Sequence, residues 1–263
     1  MAPDATARAA RLRARLERRF ALLDLAVPLA GLACPLVAAL PADPNAPLDE
    51  MAARQAARGV NAIPASDGGA AMVARATVAA GAHLPYWALL WPSGLALAEA
   101  LLATPDDIRG ARTLELGCGL GVTAAVVLTL GARLTVSDLF GEALLFAAYN
   151  CLRCAGRAPT RLLLNWRTPA GRAALLAAAP YDTLLAADVL YEREDVAPLL
   201  ALVPSLLSPG ATFWLAEPGR KASRAFVAAA LERGWRDSPT ACERAWPPDG
   251  DVTRVVIHRF KLP

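Results

Sequence analysis

Thr113–Gly121 reads TLELGCGLG, and the next apolar run ends on an acid, Asp138. Leu114 and Leu116 flank Glu115 in a short strand-like run. Gly117, Gly119 and Gly121 follow at alternate positions, ahead of the helix-like segment VTAAVVLTL. Strand, glycine turn and helix in that order let a backbone approach a ligand closely and aim a helix N-terminus at it. An acid at the tip of the following strand suits the diol of a ribose. A dinucleotide fingerprint would be G-x-G-x-x-G. Here the sixth position counted from Gly117 is Val122, and the acid Glu115 stands at the end of the strand. That carboxylate would repel a pyrophosphate and suits the ammonium of S-adenosylmethionine (AdoMet).

These residues need a sheet to hold them, and the chain supplies one. From Pro92 onward, strand-like runs are expected at 112–116, 134–138, 161–164, 183–187, 212–216 and 252–260. Helical runs are expected at 95–102, 122–130, 142–154, 172–178, 196–206 and 222–233. Such alternation predicts an α/β, Rossmann-like, mostly parallel sheet with helices on both faces. Ligands in such sheets bind beyond the carboxyl ends of the strands.

The first 80 residues read as an N-terminal extension and residues 81–263 as the main domain. In the extension a basic helix is expected over 5–19, with Leu12, Leu16 and Leu23 on one face. A hairpin turning near Ala30–Gly31, a short helix over 48–58, a loop over 61–69 and a strand over 72–79 follow. The apolar stretch 20–40 imitates a membrane span. Asp24, Pro28 and Pro35 interrupt it, and Leu23, Leu25 and Val27 alternate as in a strand.

Among the 263 residues the net charge is +3. Six arginines (Arg8, Arg11, Arg13, Arg15, Arg18, Arg19) stand against Asp4 and Glu17 at the start, which leaves the rest of the chain near neutrality. The remainder does not look like a nucleic-acid-binding surface. The basic arm is expected to be a solvated helix face; RNA, acidic protein and lipid head groups are its other possible contacts. Five cysteines without framework spacing fit a reducing, cytoplasmic setting. Cys151 and Cys154 form a lone CxxC in a helical segment, so no metal site is expected.

The segments PYWALLWPSG, LELGCGLG, SDLFGEALLFAAYN, LLNWR, LAADVLYERED and LAEPGR occur in this order between Pro85 and Arg220. In this the chain resembles the seven-strand AdoMet methyltransferases, most closely the lysine methyltransferase group that includes the enzyme acting on the electron-transfer-flavoprotein β-subunit and its bacterial, nicotinamide N-methylase-like relatives. The resemblance spans roughly residues 85–258 and is loose before residue 80. It implies that Gly117, Cys118, Gly119 and Gly121 wrap the methionine part of AdoMet, with Glu115 anchoring the turn. Asp138 would hold both ribose hydroxyls. Asn165 and Trp166 would lie at the adenine, Trp91 would close over the methionine end, and Ala187 would line the pocket. Asp188-Val189-Leu190-Tyr191 resembles the D-x-x-F/Y motif of the protein-lysine branch. Asp188 would capture and orient the incoming amine and Tyr191 would form an aromatic wall. Tyr191 as rim packing, Asp188 as a turn or cap residue, and Trp87 and Trp166 as core are the plainer readings of the same positions. The N/D-P-P-Y/F run of amide and adenine methyltransferases is absent.

A lysine acceptor sets the chemical problem. With a reference pKa of about 10.4 its neutral form costs roughly 4.6 kcal/mol at pH 7. Burial and a neighbouring cation lower that pKa, whereas a carboxylate raises it. The resemblance therefore implies an AdoMet-dependent protein-lysine N-methyltransferase, monomeric, with a folded protein as partner rather than nucleic acid or membrane. A small-molecule amine or a protein N-terminus is the alternative acceptor. A non-catalytic AdoMet- or RNA-binding module is a reading of another class.

Overall fold

The computed structural model describes residues 3–50 and 85–263. The short helix expected over 48–58 appears there only as helical residues 46–50; the loop expected at 61–69 and the strand at 72–79 lie outside the described residues.

The central sheet runs β5 (Thr160–Leu163), β4 (Arg133–Asp138), β3 (Arg112–Leu116), β6 (Tyr181–Ala187), β7 (Leu207–Glu217) and β10 (Val252–Lys261). The first five are mutually parallel and β10 is antiparallel to β7. Beyond β10 the sheet has an edge that the sequence reading missed. β8 (Arg236–Asp237) and β9 (Thr240–Ala245) both pair with β10, in one continuous register, Asp237 opposite Phe260 and Thr240 opposite Ile257. Pro239 between them has no N–H to give the ladder, which parts the edge strand into a two-residue piece and the six-residue TACERA, and neither carries an apolar run. The sheet therefore has seven positions filled by eight strands.

Alternate residues along the strands feed two cores. Leu184, Ala186, Phe213 and Leu215 pack with α5 (Pro169–Leu176), α6 (Val196–Leu206) and α7 (Lys221–Glu232). Leu185, Trp214 and Ala216 face the opposite way, with α2 (Pro92–Ala103), α3 (Val122–Thr129) and α4 (Gly141–Ala155). Burial on both faces is why these strands read as apolar runs rather than as alternating ones.

The extension is built onto the α4 side. The hairpin of β1 (Leu22–Val27) and β2 (Leu36–Pro41) is antiparallel, with its turn between Val27 and Leu36. Buried Asn150 of α4 joins it to the main sheet: its amide accepts from Ala39 N–H at 2.8 Å and donates to the carbonyls of Ala39 at 3.0 Å and Leu120 at 2.8 Å. Helix α1 (Pro3–Glu17) buries Ala5, Ala9 and Leu16 against the same core as Phe146 and Tyr149. The arm is thus not solvated all round. Arg13 donates to Asp24 and Tyr149, and Arg19 pairs with Glu50 and Glu142. Leu23, expected on the helix face, lies in β1 and is exposed; Phe20 is buried instead, against Trp87 and Phe146. Among the described residues no helix is long and apolar enough to cross a membrane.

A buried charge cluster ties β7, β8 and β10 together. His258 Nδ1 lies 2.6 Å from Asp237 Oδ2, and its Nε2 3.7 Å from Glu217 Oε1. Burial pulls the His258 pKa down, but the hydrogen bond to Asp237 and the nearby carboxylate of Glu217 outweigh it and lift the value to about 9. A folded pKa above the unfolded one of about 6.5 stabilises fully below that value and is lost as pH rises through 9. Urea unfolding should therefore show a gap between the parent protein and His258→Gln, on the order of 2 kcal/mol near pH 6.5, that closes above pH 9.

Candidate active site

A cavity of about 150 Å³, open to solvent, lies at the carboxyl ends of β3, β4, β5 and β6. β3 leads outward to β4 on one side, and β6 joins it on the other, so the cavity sits where the winding reverses. All twelve residues singled out above line it: Trp91, Glu115, Gly117, Cys118, Gly119, Gly121, Asp138, Asn165, Trp166, Ala187, Asp188 and Tyr191.

The turn after β3 is held from β4. Gly117 N–H and Cys118 N–H both donate to Ser137 O, at 2.9 and 3.1 Å. Gly119 N–H donates to Asp138 Oδ2 at 3.0 Å, and Phe140 N–H to Oδ1 at 3.0 Å. Gly121 opens α3 at φ 77°, and a Cβ there would stand 2.5 Å from Ala147 Cα. Only glycine accepts both that backbone and that approach. Ser137 and Asp138 thus hold the turn from β4.

Glu115 has another posture. It is buried on the α2–α3 side of the sheet, and its Oε2 has no hydrogen-bond partner. Burial, with Asp138 nearby, raises its pKa to about 8. Burial also raises Asp138, to about 6, against the lowering effect of its backbone donors. Two carboxyl groups held above their ordinary range, one with an orphaned oxygen, form a seat for a cation.

The far walls are aromatic. Trp91, at the N-cap of α2, donates its indole N–H to Tyr86 O at 2.9 Å. Tyr86 meets Trp91 and Tyr191 edge-on, with ring centroids 6.0 and 5.4 Å apart. Trp87 is buried against Phe20 and Phe146 and still borders the cavity, so its core and pocket readings both hold. After β5, Asn165 Oδ1 accepts from Arg167 N–H at 2.9 Å, which fixes the orientation of the amide. Its second lone pair remains for a ligand amine. Arg167 lies over Trp166 and Tyr191 and pairs with buried Asp195.

Asp188 departs most from expectation. Its carboxylate, expected to await an amine, is gripped by Arg220 at 2.7 and 3.2 Å. Sequence reasoning assigned no role to Tyr86, Arg167 or Arg220. Tyr86, Arg167 and Arg220 fall inside the six quoted segments, but a lone tyrosine or arginine there carries no sign of what it faces.

The site combines the buried carboxyl groups of Glu115 and Asp138, an amide beside an indole, and an aromatic wall of Tyr86, Trp91 and Tyr191. Such an arrangement suits a cationic nucleoside meeting a second reactant.

Comparison with known proteins agrees with this geometry. The family model described as lysine methyltransferase matches residues 86–232. The electron transfer flavoprotein beta subunit lysine methyltransferase of Xenopus laevis is 32% identical over 142 residues, 52% of this chain and 53% of that protein. Its Homo sapiens counterpart is 43% identical over 68 residues, 26% of each chain. The match thus spans about half the length of the Xenopus protein and about a quarter of the human one. Among solved structures, the Burkholderia thailandensis 1,6-didemethyltoxoflavin-N1-methyltransferase, with S-adenosylhomocysteine bound, superposes with a TM-score of 0.50 at 18% identity, over 78% of this chain and 94% of that one. That likeness speaks for the fold.

Proposed function

The chain belongs to the lysine methyltransferase family, and on that premise we propose that it transfers a methyl group from AdoMet to the side-chain amine of lysine in a protein. The observation that carries this reading is the meeting of Glu115, Asp138 and Asn165 in one cavity with Asp188 and Tyr191. AdoMet supplies a methyl group on sulfur: the amine lone pair forms a C–N bond while the C–S bond breaks with its electron pair left on sulfur, and the amine proton departs to water.

The residues fit that donor. The orphaned Oε2 of Glu115 faces a need that an ammonium group meets. Asp138 keeps lone pairs for two ribose hydroxyls while its backbone donors hold it in place. Asn165 and Trp166 would receive the adenine, the one by its remaining lone pair and the other by its ring face. Trp91, Tyr86 and Tyr191 shield the reacting end from water, and positioning with desolvation is most of what such a displacement needs. Tyr191 and Tyr86 can also hold a cationic or methylated nitrogen against their rings.

Because Glu115 and Asp138 titrate near 8 and 6 without ligand, and a cation favours their charged forms, binding should release protons. AdoMet affinity should fall as pH drops from 8 to 6, by up to about tenfold per unit. Calorimetric titrations in buffers of different ionisation enthalpy measure the protons released.

The function is tested by incubating the protein with methyl-labelled AdoMet and either electron-transfer-flavoprotein β-subunit or a soluble extract of the producing cell. Label on lysine of a discrete protein supports the reading. Label confined to small molecules would transfer the proposal to a small amine, and the absence of any transfer would overturn it.

A further inference from the structure

Arg220 has no place in the reaction as drawn above, yet the fold goes to some length to fix it. Glu217 Oε2 takes the Gly219 N–H at 2.6 Å, Arg224 donates to Gly219 O, and Arg220 itself is the N-cap of α7. Its guanidinium lies 5.9 Å from the centre of the Trp91 ring. From there it forms a fork with both oxygens of Asp188. The Asp188 side chain is 7% exposed and that of Arg220 38%, so the cation stands on the solvent side of the acid. Asp188 borders the cavity and Arg220 is not among its lining residues. Asp188 is also the only non-glycine among the described residues with positive φ, 54°. A strained backbone held at a pocket mouth marks a side chain whose direction matters.

We infer that Arg220 is a positioning residue that cancels the charge of Asp188, so that this carboxylate orients an acceptor amine in its neutral form. The inference rests on the methyltransferase reading. An unpaired carboxylate beside the mouth would stabilise the ammonium and deepen the protonation problem. Paired to a guanidinium, which stays charged at every working pH, it keeps lone pairs able to accept an N–H without that penalty. The other charged or titratable groups around the pair are Tyr86 before α2, Tyr191 and Glu192 after β6, Arg167 with its partner Asp195, and Glu217 at the end of β7. Arg220 holds Asp188 through two hydrogen bonds, one to each carboxylate oxygen.

The test uses n-butylamine, the lysine side chain without its peptide, at saturating AdoMet and amine. Appearance of N-methylbutylamine gives kcat from about pH 6 to pH 10; this profile reports the protonation of the bound complex. Arg220→Met should move the acid limb up by about one pH unit, about a tenfold loss at pH 7. Arg220→Lys should leave the limb in place. Asp188→Asn with Arg220→Met should return it to the parental position, because an amide accepts the same hydrogen bond without charge and asparagine tolerates positive φ. AdoMet affinity should be unchanged in all three. An Arg220→Met limb superimposable on the parental one, or a double variant displaced as far as the single, overturns the inference and leaves the function standing. Equal loss of AdoMet binding in all variants does the same. Where the parent protein transfers nothing to n-butylamine, the same variants and pH range are run on the protein acceptor labelled above, and transfer to neither acceptor sinks both.

Discussion

Asp138→Ala should raise the dissociation constant for AdoMet about a hundredfold. The carboxylate accepts from Gly119 N–H and Phe140 N–H, each at 3.0 Å. It therefore shapes the glycine turn, in addition to the ribose contact proposed for it. Each hydrogen bond to a charged group contributes about 1.5–3 kcal/mol. Losing the pair to the diol removes on the order of 3 kcal/mol, which is about two decades in affinity. Asp138→Asn retains one acceptor oxygen and should fall between. Titration calorimetry settles the matter, and an alanine variant that binds like the parent would remove Asp138 from the cofactor's contacts.

Gly121→Ala should destabilise the protein out of proportion to the one methyl group it adds. Its Cβ would stand 2.5 Å from Ala147 Cα and 2.6 Å from Ala147 Cβ, and the backbone at φ 77° is strained for any residue bearing one. Overpacking costs about 1–3 kcal/mol and the left-handed conformation about 1–2, for a total near 3 kcal/mol. Gly110→Ala is the control. Its φ is 73°, but nothing lies within 4 Å of an added Cβ, so only the conformational part remains. Urea midpoints of the two variants should differ by the steric part. Gly121→Ala should also weaken AdoMet, since the same residue opens α3 beneath the turn.

What the chain disclosed by itself follows from its physics. The central parallel strands β3, β4 and β6 are largely buried on both faces, so their apolar runs stand out, and β3 with Arg112–Leu116 agrees residue for residue with the expectation. Glycines at alternate positions followed by a helix, and an acid closing the next strand, are local patterns, and the site residues they named do line one cavity. The features that escaped notice are non-local. Glu217, Asp237 and His258 become one cluster only because β7 and β10 pair, with β8 on the far side of β10. Arg220 and Asp188 are 32 residues apart and meet because β6 and β7 are neighbours. Leu23 fitted both a helix face and a strand; it lies in β1, on the exposed side, and Phe20 is buried instead. The edge strand escaped notice because Arg236–Asp237 is too short to register and TACERA beyond Pro239, mostly at the surface, has no apolar run.

The basic start of the chain shows the same lesson from the other side. Composition made it an arm; packing makes it a wall. Phe20 meets Trp87, Trp87 borders the cavity, and Asn150 joins β2 to the carbonyl of Leu120 in the glycine turn. Extension and pocket therefore share a core, whatever else the exposed arginines contact.

The most direct measurement is a crystal structure of the protein grown with AdoMet. The ribose hydroxyls are expected within hydrogen-bond distance of Asp138, the ammonium beside Glu115, and the adenine between Asn165 and Trp166. AdoMet seated elsewhere on the molecule, or lying here with its sugar turned away from Asp138, would contradict the proposal at its root.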